Sequence, residues 1–229
     1  MNISYWKSPS EVKKAIDETS IDVFLDRVKN GFWKHEVEKI RTEKDEKKRK
    51  VLKLSVPCVT ISGTFSYRAE KDLIKHSGFI CIDIDGFNDK QQLINDQYSY
   101  CVMYSVSGTG LAVIVKIEPS KHKESYNFLS EYYFTQFGIK VDEAPKNPAS
   151  CRFASFDPEL FVNHKSKKSK YKVESKRKVS TLALIIPKTD VGGLVEQVNQ
   201  NVADDYFDYM KLGFSCAVGF GEQGRIYFF

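Results

Sequence analysis

The sequence predicts an α/β fold of the α+β kind, a mostly antiparallel sheet flanked by helices. Three observations predict it. Short β-prone runs at 56–62, 79–86, 101–106, 111–117 and 151–156 recur between helix-patterned stretches. Ser-Gly-Thr-Gly at 107–110 joins two of these runs with a linker short enough for a hairpin. A long segment, 122–137, instead spaces Tyr126, Leu129, Tyr133 and Phe137 at helical intervals and ends before Gly138.

The elements follow in order. Ser8-Pro9-Ser10-Glu11 combines an N-cap, a proline at the first helical position and a capping-box glutamate, so a short helix is expected from Pro9. Further helices are expected over 21–29 and 32–41. The stretch 34–50 carries eight basic and five acidic residues and reads as a solvated helix or connection that could also touch a polyanion. From Val51 the pattern turns to strands, with an extended run over 56–62 ending at Gly63 and a short helix over 69–75. Phe79-Ile80-Cys81-Ile82-Asp83-Ile84-Asp85-Gly86 alternates with period two. It places Ile80, Ile82 and Ile84 on one face and Cys81, Asp83 and Asp85 on the other. Asn88 can cap a short helix ending near Asp96. After a lysine-rich stretch, composition changes near Thr181, and 191–198 and 205–218 look helical. The apolar ending at Phe229 suggests a fragment of a longer polypeptide.

The chain has 229 residues, 41% of them apolar and 13% aromatic, enough for a hydrophobic core. That composition excludes collagen-like, mucin-like and disulfide-scaffold proteins. No basic-then-apolar leader opens the chain, and no apolar run is long enough to span a bilayer. Cys58, Cys81, Cys101, Cys151 and Cys216 form no CxxC pair, so buried free thiols in a reducing cytoplasm are expected. The formal charge is only +5, but 164–178 contains eight Lys/Arg and one acid, leaving the rest of the chain slightly acidic.

Asp83 and Asp85 face the same way at the end of an apolar strand. Two close carboxylates repel, and a hard divalent cation relieves that repulsion while accepting oxygen ligands. The pair alone admits a phosphoryl- or nucleotidyl-transfer site, a metal-dependent sugar transferase, or ordinary strand-end acids. The glycine-rich tetrapeptide could offer N–H groups to phosphate, but it is neither a P-loop nor a dinucleotide fingerprint. Lys116 and Arg152 each sit among β-prone residues, from which they could reach a cleft or simply snorkel.

Three segments together carry a family resemblance: GFICIDIDGF, YSVSGTGLAVIVKI and IKVDEAPKNPASCRFASFDPELFVN. With Val56-Pro57, the Ser-Gly-Thr-Phe at 62–65 and the His-Ser-Gly at 76–78, they resemble the N-terminal (BT4734-like) domain of virulence-associated E-like and related mobile-element proteins. That domain is placed in the archaeo-eukaryotic primase superfamily. The resemblance covers about 51–163. The tail from Asp205 through Gly221-Glu222-Gln223-Gly224-Arg225 resembles the start of the small helical domain that often follows.

The resemblance implies a division into an N-terminal helical extension (1–50), a primase-polymerase-like core (51–163), a basic linker (164–180) and a helical C-terminal domain (181–229). It implies metal-dependent nucleotidyl transfer in replication of a mobile element, plasmid or phage. Asp83 and Asp85 match the first family motif and Asp142 the third, so these three would hold Mg²⁺ or Mn²⁺. Ser107, Gly108 and Gly110 would face the nucleotide's phosphates, with Lys116 and Arg152 neutralising charge. Implied partners are nucleoside triphosphates, single-stranded or primer-template nucleic acid, and a helicase domain or protein. The histidine expected in the second motif is missing, because Leu111 or Ala112 stands there. A catalytically inactive, nucleic-acid-binding module is therefore the alternative. His76 matches the family pattern, whereas His35, His122 and His164 have nothing beside them that favours catalysis. The run Lys165, Lys167, Lys168, Lys170, Lys172, Lys176, Arg177 and Lys178 could attract a phosphate backbone without reading bases.

Overall fold

The computed structural model describes residues 1–87 and 89–171. The expectations for 181–229, and for Lys172, Lys176, Arg177, Lys178 and Cys216, lie outside them, as does Asn88.

The N-terminus departs from expectation. Strand β1 (Asn2–Trp6) pairs antiparallel with β2 (Asp17–Ser20), and no helix starts at Pro9. Residues 7–16 form the connection of this hairpin, held by long-range partners: Arg68 reaches the Pro9 carbonyl, and its own amide donates to the Val12 carbonyl. Local capping signals lose to these tertiary bonds. Residues 1–50 are thus not a helical extension, since β1 also pairs with β3 (Cys58–Thr60) of the following region.

Helix α1 (Ile21–Lys29) matches its predicted bounds. The Ser20 hydroxyl caps the Val23 amide at 3.1 Å, and Ile21, Phe24, Leu25 and Val28 bury one stripe. Helix α2 (Lys34–Thr42) buries Val37 and Ile40. Helix α3 (Glu46–Leu54) continues past Val51, where strands were expected, and buries no residue fully.

Next, β4 (Gly63–Phe65) and β5 (Leu73–His76) form a two-stranded ribbon, and only Glu70–Asp72 of the expected 69–75 helix makes a helical turn. Strands β6 (Phe79–Asp85), β7 (Ser99–Tyr104) and β8 (Gly110–Lys116) match the sequence reading closely. Between β6 and β7, α4 (Lys90–Ile94) is capped by the Asp89 carboxylate, the role expected of Asn88. Helix α5 (His122–Phe137) has its predicted bounds and ends at Gly138, whose φ of 67° supplies the left-handed cap. Two short strands follow, β9 (Arg152–Phe153) and β10 (Phe161–Val162).

All strand pairs among the described residues are antiparallel. One sheet has the order β2-β1-β3-β9 and a second the order β10-β7-β8-β6. The second sheet is apolar on both faces. Phe79, Cys81, Met103 and Ile114 pack toward α1, α2 and the first sheet, whereas Ile80, Ile82, Val102 and Val113 pack toward α5 and α4. The alternation of β6 is therefore as predicted. Its isoleucines face α5, and its two aspartates share the face of Cys81. Cys58, Cys81 and Cys101 are buried free thiols. No helix among the described residues is long and apolar enough to cross a membrane.

Candidate active site

The β6–β8 register positions the acids. Asp83 lies opposite Ala112 and Asp85 opposite Gly110, so the glycine-rich hairpin rises beside the acidic end of β6. A side chain at Gly110 would meet the Ile84 carbonyl at 2.5 Å and the Asp85 carboxylate at 3.2 Å, so glycine is what lets the two strands close there. Asp142 comes from the segment after α5. Its amide donates to the Asp83 carbonyl at 3.2 Å, and its carbonyl accepts from the Tyr126 hydroxyl at 2.9 Å. The backbone thus sets Asp142 directly beside Asp83.

Arg152 joins this group. Its guanidinium is buried and forms an ion pair with the Asp83 carboxylate. Burial pushes its pKa down from the usual guanidinium value, opposed by the neighbouring Cys81. Lys53 of α3 is also close enough to sense the charges of Asp85 and Arg152. Its ammonium is held below the usual lysine range by partial burial and Arg49, and Asp85 pulls it back up.

Three oxygen-donor carboxylates on adjoining segments are the donor chemistry a hard divalent cation takes. Among the described residues, no three His, Cys, Asp or Glu side chains are gathered as a ready-made metal cluster. The counter-charge on Asp83 is the Arg152 guanidinium.

The hairpin is built on an arginine that the sequence did not announce. Arg41, from α2, donates to the carbonyls of Ser105 at 3.0 Å, Val106 at 3.3 Å and Phe156 at 2.9 Å. Gly108 adopts φ 74°, and a Cβ there would stand 3.1 Å from the Arg41 Nε. The Ser107 hydroxyl lies 3.1 Å from both the Ser105 and Thr109 hydroxyls. These partners are more than 60 residues from Arg41, so no local motif could reveal them.

Lys116 does not join the acids. It pairs with Phe79 at the opposite end of β8 from Gly110, roughly 20 Å along the strand. Its ammonium donates to the carbonyls of His164 at 2.6 Å and Ser166 at 3.1 Å. The start of the basic run lies at that same far end. Ser169 bonds the Lys116 carbonyl, Lys167 bonds Gln97, and Lys168 pairs with Glu118 at 3.0 Å. Lys165 and Lys170 are exposed. The described start of this run thus lies at the end of β8 away from the acids.

His122, dismissed from sequence, has a partner. The Gly78 amide donates to His76 Nδ1 at 2.9 Å, so the His76 proton sits on Nε2 and points at His122 Nδ1, 3.0 Å away. His122 Nε2 then donates to the Pro145 carbonyl at 2.9 Å, three residues after Asp142. This chain needs both rings neutral. Burial, and then the proximity of His122, lower the His76 pKa to about 4, and burial also lowers that of His122.

Unfolded histidine titrates near 6.5, so the unfolded state takes up more protons between pH 6.5 and 4. The contribution is present above pH 6.5 and declines as pH falls toward 4. Urea unfolding should show a stability loss of about 1–2 kcal/mol across that window, allowing for screening of a partly exposed ring. His76→Gln should flatten this slope. An unchanged slope would locate the acid sensitivity elsewhere.

No curated protein and no solved structure matches the chain significantly. Residues 51–161, which contain the three acids, the hairpin and Arg152, match the family model described as BT4734-like, N-terminal domain.

Proposed function

We propose that the region 51–161 is a primase-superfamily nucleotidyl-transfer domain, serving replication of a mobile element, plasmid or phage. The observation that carries this reading is the Asp142–Asp83 backbone bond, which puts the third acid of the family pattern next to the first acid along the backbone. Asp83, Asp85 and Asp142 would hold Mg²⁺ or Mn²⁺. When bound, such an ion supplies charge neutralisation for an attacking 3′-hydroxyl and an α-phosphate. The hairpin at 107–110 orients the nucleoside triphosphate through Ser107 and its backbone amides, on a base fixed by Arg41. Arg152 pairs with Asp83 and supplies positive charge for phosphate. Lys53 takes over the second cationic role expected of Lys116, which the β8 register carries away from the acids. Single-stranded or primer-template nucleic acid is the second substrate, and a helicase domain or protein is the implied partner.

A second reading has an observation in its favour. The buried Arg152–Asp83 ion pair, with Leu111 and Ala112 where a nucleotide-contacting histidine is expected, suits a non-catalytic nucleic-acid-binding module.

Titration of Mn²⁺ into the intact chain, followed by the loss of free-ion electron paramagnetic signal, distinguishes the two. Saturable binding weakened at least tenfold by Asp142→Asn supports the transferase site. Binding that Asp142→Asn leaves unchanged removes Asp142 from it, and absent binding favours the inactive module.

A further inference from the structure

We propose that α3 is the surface on which a single-stranded nucleic-acid backbone lies as it reaches the acids, an inference that rests on the reading above. From Lys44 to Lys53 the chain carries six basic and two acidic residues. Both acids are engaged at the helix start. The Asp45 carboxylate caps the amides of Lys47 at 2.8 Å and Lys48 at 3.1 Å, and Glu46 pairs with Lys50 at 2.9 Å. Among the described residues, no carboxylate forms a salt bridge with Lys47, Lys48, Arg49 or Lys53.

Core packing does not account for this helix. It buries no residue, and Leu52 alone packs partly against the apolar core. Nine residues of such composition are marginal as an isolated helix. The cap at Asp45 and the Leu52 contact keep it in place, with Lys47 and Lys48 turned to solvent and Arg49 and Lys53 on the inner, half-buried side. Leu52, next to Lys53, packs against the core cluster that holds Cys81 and Ala112, and Ala112 lies opposite Asp83, so the row ends toward the acid-bearing strand. A polyanion following the row arrives at the carboxylates that would act on it.

The chemistry favours nucleic acid over an anionic bilayer. Val51 and Leu54, 66% and 51% exposed, are the large apolar side chains α3 turns to water, too little to insert into a membrane surface. The more basic run at 165–170 is a weaker candidate, because Lys167 and Lys168 already have partners at the far end of β8.

The test is fluorescence anisotropy of a labelled oligodeoxythymidylate against the full chain over a salt series. The variants are K47Q/K48Q/R49Q, the charge-preserving K47R/K48R/R49K, and K165Q/K167Q/K168Q. The first should lower the slope of log affinity against log salt by about 2, since each lost phosphate contact on a single strand removes about 0.7. Affinity at low salt should fall roughly 10- to 100-fold. The charge-preserving variant should bind as wild type, and the third should change the slope by much less. Because Lys47 and Lys48 are exposed and Arg49 is only half-buried with no ion-pair partner among the described residues, each variant should unfold within about 1 kcal/mol of wild type. If wild type binds the oligonucleotide and the first variant retains its full slope, α3 is not the surface, while the nucleotidyl-transfer reading survives. If wild type fails to bind, that reading falls too. Binding of wild type to phosphatidylserine vesicles with no affinity for oligonucleotide would make α3 a membrane contact instead.

Discussion

Asp157→Ala is expected to lower stability by about 3–5 kcal/mol, the loss that follows when one partner of a buried ion pair is removed. Asp157 is 1% exposed, and its carboxylate takes the Lys90 ammonium at 2.7 Å. The same group accepts the Tyr104 amide at 2.9 Å and the Glu159 amide at 3.0 Å. One side chain therefore joins α4, the end of β7 and the turn before β10. Removing it leaves a buried ammonium whose remaining protein acceptor is the Glu159 carbonyl at 2.7 Å. For a chain of this size the melting temperature should drop by roughly 6–20 °C. The double variant Lys90→Met with Asp157→Ala should recover much of that loss, because no unpaired charge then remains. A double variant as unstable as the single one would assign the loss to the amide contacts instead.

This ion pair illustrates what a sequence can and cannot disclose. Helices α1 and α5 were legible to the residue because their caps and apolar spacing are local. The faces of β6 were legible because alternation is a property of seven consecutive residues. Asp157, in contrast, looked like the end of a strand, and its partner lies 67 positions away. The N-terminal hairpin was misread for the same reason, since a good capping sequence at Ser8 yields to bonds from Arg68. Past Val51 the pattern suggested strands, whereas an aspartate cap and one half-buried contact at Leu52 sustain a helix.

The site divides along the same line. Asp83 and Asp85 were visible as a pair, and Asp142 could be named only through family resemblance. The backbone bond that brings Asp142 to Asp83 crosses 59 positions. The ion-pair partner of Arg152 could not be read from sequence, and the strand register carries Lys116 to the far end of β8. The contacts of Arg41 and His122 went unrecognised because they join residues far apart in sequence and exist only in three dimensions.

Primer extension tests the central claim most directly. With Mn²⁺, a labelled primer-template and nucleoside triphosphates, the intact chain should add nucleotides, and Asp83→Ala with Asp85→Ala should reduce the rate at least about 10³-fold. That factor corresponds to roughly 4 kcal/mol of lost transition-state stabilisation, the scale expected when metal-holding carboxylates are removed. Asp83→Ala also leaves Arg152 without its ion-pair partner, so the Asp85→Ala single variant, exposed and unpaired in the structure, separates loss of chemistry from loss of fold. It should unfold at the wild-type temperature and still lose extension. Undiminished extension by the Asp83→Ala, Asp85→Ala protein would contradict the account.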